Sequence, residues 1–195
     1  MTYEPDSDIL KKIGALSDNI RQRRRFEGYA GWPRMISGAV ALAGACILHL
    51  FFKQGSELTH LIGWGIVLAF ALALNYGHLA WWFFGHEEIR HRPAALKPAL
   101  DALPPLAAGA IISAALIMHQ QFNLLMGVWI LMYGLAQTTY QGKLPKGVYF
   151  TGLVYMACGV MLLLFSATPF TNPWPMGLIF FIGELAGGLC LMEPE

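Results

Sequence analysis

The sequence predicts an all-α fold: a polytopic bundle of six transmembrane helices preceded by an amphipathic cytoplasmic helix. Three observations carry that expectation. The 195 residues are 56% hydrophobic and 13% charged, about half the charged fraction of a soluble domain. The apolar residues gather in runs at 34–52, 60–84, 100–118, 122–140, 148–166 and 174–192, each near the ~20 residues that a helix needs to cross a bilayer. The charges are segregated: all of the 13 Lys and Arg except Lys53 lie at or before the start of the first run, or in alternate connections. By the positive-inside rule both termini then face the cytoplasm.

Residues 1–31 read as a basic cytoplasmic head and 32–195 as the membrane domain. In the head, Ile9, Ile13, Leu16 and Ile20 recur at helical spacing, the pattern of one amphipathic stripe. Arg21, Arg23, Arg24 and Arg25 follow it, and are candidates for contact with an anionic membrane surface or with a protein partner. The formal net charge of +1 gives no reason to expect nucleic acid. No secretory leader is expected, since about thirty polar and amphipathic residues precede the first run.

The first run carries Ser37, Ala41 and Ala45 four apart, a small-residue face for close helix contact. Ser37–Phe51 also aligns without gaps on Thr151–Phe165 of the fifth run, a candidate parallel repeat. Pro104 and Pro105 suit the first turn of the third helix, where a missing N–H costs little, and Asp101 just before them is a candidate cap. Cys46, Cys158 and Cys190 form no CxxC pair, which argues against a disulfide framework or a thiolate zinc site.

His86-Glu-Glu-Ile-Arg-His91 approaches the HExxH zinc-protease motif. That motif needs its histidines at i and i+4. Here the second stands at i+5, about 140° further round a helix, so no metal site is expected. His49, His60, His78 and His119 sit in or at the ends of runs, and haem ligation by a pair of them is the remote alternative. No Ser/His/Asp set, phosphate-binding loop or carboxylate pair within a run is present, so no enzyme and no cofactor are expected.

The sixth run places Glu184 midway along an otherwise apolar stretch, the costliest position for a carboxylate in a bilayer. Asn75 and His78, three apart on the second run, are its expected neighbours. Glu184, Asn75 and His78 thus form the candidate ligand or proton site, with Gln137, Thr138, Thr139, Thr151 and Tyr155 as further polar residues. Gly183-x-x-x-Gly187 beside Glu184 should admit a neighbouring helix closely.

Leu103–Ala110, Gly127–Leu135 and Thr151–Gly159 resemble a group of small six-span bacterial membrane proteins of unassigned function, often encoded beside a winged-helix regulator. That resemblance implies the bacterial inner membrane and brings no site residues with it. The size and the small-residue first helix are also similar to the substrate-binding subunits of energy-coupling-factor vitamin transporters. The expected function is a non-enzymatic sensor or interaction subunit of a membrane complex, with the lipid bilayer and a protein partner or second copy as its partners. The alternative is a small-solute carrier or substrate-binding subunit that uses the mid-membrane Glu184.

Overall fold

The computed structural model describes residues 28–87, 96–140, 142–165 and 168–192, and among these the chain is all-helical. The helices are α1 (Gly31–Phe51), α2 (Glu57–Gly85), α3 (Lys97–Asp101), α4 (Leu103–Met118), α5 (Leu125–Thr138, led in by a 3-10 turn at Phe122–Leu124), α6 (Lys146–Leu164) and α7 (Trp174–Met192). The expected head helix and Arg21, Arg23, Arg24 and Arg25 lie outside the described residues.

Five segments are long and apolar enough to cross a membrane: α1, α2, α3 with α4, α6 and α7. The fourth expected run instead forms a shorter apolar helix within Phe122–Thr138. Its physical setting differs too. Leu125, Met126, Gly127, Val128 and Ile130 are all buried, so α5 is a core helix, whereas α2 buries only His60, Trp64 and Leu79 along its 29 residues.

Local chemistry explains several boundaries. Ser56 caps α2 by accepting the Thr59 backbone N–H at 3.3 Å, and Glu57 supplies first-turn negative charge. Prolines occupy the first turn of α4 as expected. Asp101 departs from expectation: it ends α3, and its carboxylate pairs with Lys143 across the α5–α6 connection while the amino end of α4 has no side-chain cap. A basic partner close by outcompetes weaker backbone donors for that carboxylate.

Two apolar clusters sit at opposite ends of the bundle. One joins Ala45, Leu48, Trp64, Leu125, Met126 and Met176; the other joins Leu79, Ala99, Leu144 and Val148, with Tyr29, Tyr140 and Cys190 against it. α2 and α7 start at the first cluster and end at the second, α6 runs the other way, α1 and α4 end at the first and α5 starts there, so successive long helices run antiparallel. In the lateral direction α2, α1 and α7 pack in that order as one three-helix unit, and α4, α5 and α6 as another. The α1/α7 and α5/α6 interfaces are the most intimate, and α6 meets α7 along a thinner seam.

Small residues make the intimate contacts. Gly177 lies against Ala41 and Ala45 of α1, and Gly134 against the backbone of Gly152 and Met156. The aligned stretches of α1 and α6 bury matching positions, Gly38 with Gly152 and Ala45 with Gly159, yet α1 packs on α7 and α6 on α5.

Tyr29, ahead of α1, and Tyr140, beyond α5, bridge the two units with a 3.2 Å hydroxyl contact. Burial pushes both phenols above the ordinary tyrosine range. The folded chain therefore keeps protons that the unfolded chain releases near pH 10. Their contribution is complete below that pH and is lost as pH rises further. Thermal unfolding between pH 9 and 11 should show a falling midpoint in the native chain and a shallower fall in Tyr29→Phe/Tyr140→Phe. Identical slopes would remove the pair as the cause.

Candidate functional site: an ion pair of one unit joined to the other by two tyrosines

Gly38 brings α1 against α7 at the level of Glu184: a Cβ on it would stand 2.9 Å from the Glu184 Cβ. One turn earlier on the same face of α1 is Arg34. Its guanidinium grips the Glu184 carboxylate in a two-pronged pair, Nε donating to Oε2 at 3.0 Å and Nη2 to Oε1 at 2.9 Å. From the other unit, the hydroxyl of Tyr133 on α5 donates to Oε1 at 2.8 Å. The hydroxyl of Tyr155 on α6 donates to the same oxygen at 3.0 Å. The two phenol rings meet edge to face at 5.1 Å, and Phe180 packs on both.

Two glycines of α7 make this convergence possible. Without a side chain at Gly183 the Tyr155 phenol reaches past α7, and any Cβ there would collide with it. At Gly187 a Cβ would fall 2.7 Å from Nη2 of Arg34. Gly183 and Gly187 therefore do admit neighbouring groups closely, and those groups are Tyr155 and Arg34, two of the three side chains that reach Glu184.

The cluster is buried and electrically balanced. Arg34 is 6% exposed and Glu184 3%, and one positive charge faces one negative. Four donors converge on the carboxylate, three on Oε1 and one on Oε2.

The structure places the expected site residues differently. Asn75 donates to Ser37 Oγ at 2.8 Å and to the Ala71 carbonyl at 2.9 Å, while Ser37 Oγ donates to the Pro33 carbonyl. His78 packs edge-on against Trp32 and beside Trp81. Neither residue is a hydrogen-bond partner of Glu184. Of the wider polar set only Tyr155 joins the cluster; Thr151 donates instead to Gln137 Oε1 at 2.9 Å. Two of the histidines considered for haem have partners of their own: His49 packs on Trp174, and the buried His60 sets Nε2 3.2 Å from the Phe52 carbonyl. Among the described residues no group of three or more His, Cys, Asp or Glu could hold a metal ion.

Sequence reasoning missed Arg34 and Tyr133. Arg34 carried a signal: it shares a helical face with Gly38, Ala41 and Ala45, all buried in α1. A basic residue on the packing face, rather than the outer one, needs an acidic partner inside.

Comparison with known proteins adds no identity. No family description, curated protein or solved structure matches the chain. The site must be read from its own geometry.

Proposed function

We propose that the chain is a six-span, non-enzymatic protein of the bacterial cytoplasmic membrane, with both termini inside, acting as a sensor or interaction subunit of a membrane complex. The observation that carries this reading is the burial of the Glu184 carboxylate among four donors. A carrier site needs unsatisfied groups facing a cavity; here the Glu184 carboxylate is enclosed by Arg34, Tyr133 and Tyr155. The cluster then serves to fasten the α2–α1–α7 unit to the α4–α5–α6 unit.

Six crossings are supported by the length of the fourth segment. A 3-10 turn of three residues and a helix of fourteen span about 27 Å, close to the ~30 Å of a hydrocarbon core. The distribution of Lys and Arg supports the orientation, and the likeness to small bacterial membrane proteins supports the location. The basic head, carrying Arg21, Arg23, Arg24 and Arg25, is the proposed contact for lipid surface or protein partner.

One observation favours a second reading, the small-solute carrier. Two three-helix units meet at a central charged cluster, and rocking one unit against the other would open it. Native mass spectrometry after mild extraction, with an absorption spectrum of the same sample, separates the two. A homo-oligomer or bound protein partner is the expected result. A bound non-lipid small molecule that disappears in Tyr133→Phe, or a haem absorption band, would overturn it.

A further inference from the structure

The α6/α7 seam holds a groove of about 410 Å³, lined almost wholly by apolar atoms and half open to the outside. Its origin is local. Tyr155 stands between α6 and α7, and Gly183 makes room only for its phenol, so the helices cannot close together as α1 and α7 do. Phe150, Val154 and Ile182 form exposed rims, while Tyr155, Gly183 and Ala186 form the floor.

The groove has a direction. It begins at Gly147 and Cys190, beside the second apolar cluster, and ends at Cys158 and Ile179. From Gly147 to Cys158 along α6 is about 16 Å. On the six-span reading that end of the bundle is the cytoplasmic interface, so the groove covers the depth of one leaflet, half of the ~30 Å hydrocarbon core. Lys146, the residue before Gly147 and the first of α6, is exposed at the same end of the bundle, a positive charge placed where lipid head groups lie.

We propose that this groove is a site for one inner-leaflet phospholipid, with an acyl chain between α6 and α7 and its phosphate on Lys146. The site is apolar along its whole length and charged only at its interfacial end, which is the distribution of a phospholipid. A protein helix would not fit, because the ~10 Å width of a helix exceeds a groove floored by single side chains. The bound chain lies on the ring of Tyr155, whose hydroxyl donates to Glu184, so the lipid supports the wall of the ion-pair cluster. This proposal rests on the membrane reading above, and its test starts from protein already extracted from a membrane.

The native cysteines provide the test. Cys158 and Cys190 line the groove, while Cys46 on α1 does not. The purified chain in lipid-free micelles, then in micelles with added phosphatidylglycerol, is alkylated with a maleimide, and each cysteine is followed by peptide mass spectrometry. Phospholipid should slow Cys158 and Cys190 at least fivefold and leave Cys46 unchanged. Lys146→Gln should shift that protection to several-fold higher lipid concentration, and Ala186→Phe, which fills the floor, should abolish it. Equal slowing of all three cysteines, or protection unaltered by both substitutions, would overturn the site. Failure of the chain to resist carbonate extraction from membranes would instead sink the membrane reading itself.

Discussion

Glu184→Gln should be the most damaging conservative substitution in the chain, lowering stability by about 3–5 kcal/mol, as measured by thermal unfolding in mild detergent. The change is one atom in size, so packing is not the cause. It leaves the Arg34 guanidinium, 6% exposed, with no opposing charge. Arg34→Met should do comparable harm from the other side. The double variant Arg34→Met/Glu184→Met removes both charges. It should recover most of the loss and retain a deficit of about 1–3 kcal/mol, because the hydroxyls of Tyr133 and Tyr155 lose their acceptor. A double variant as unstable as the two single losses added together would show that the groups act independently, and would remove the ion pair as the fastening between α1 and α7.

The second large effect is expected at Gly134. A Cβ there would stand 2.6 Å from the Gly152 carbonyl oxygen and 2.7 Å from the Met156 nitrogen. Both are backbone atoms, which no rotamer change can move, so α5 and α6 must part. Gly134→Ala should cost about 1–3 kcal/mol despite the better helix propensity of alanine. Gly65→Ala is the matched control, since nothing lies within 4 Å of its added carbon; it should leave stability unchanged or raise it by up to about 1 kcal/mol. Equal effects at the two positions would mean that the α5/α6 contact is looser than its geometry states.

The contrast between these two predictions explains how far the sequence could be read. Apolar run length is a local property, and α7 was bounded correctly at Trp174 and Met192 from hydropathy alone. The fourth run lost residues at its end because a core helix surrounded by other helices is not obliged to match bilayer thickness. Glu184 stood out because a carboxylate in an apolar run is visible without knowing any neighbour. Its partners were not visible. Arg34 had the same sequence appearance as an orientation signal, and Tyr133 that of one aromatic among many. Asn75 and His78 were correctly placed near one face of α2, but spacing on a helix says nothing about which helix that face meets. Asn75 meets α1 at Ser37, one helix short of Glu184.

Arg34 and Glu184 stand 150 residues apart, one in the first described helix and the other in the last. On the membrane reading, Arg34 enters the bilayer during synthesis long before its counter-charge exists. Placed in the opening turn of α1, its long side chain can reach to the interface and wait in water. Glu184 has no such refuge, because it is central in its helix. The final helix can therefore settle only by docking on the first, with the two tyrosines already in place. Docking of α7 on α1 and closure of the bundle thus become a single event in biogenesis, and a protein with α1 misoriented would be left with an acidic helix that has nowhere to go.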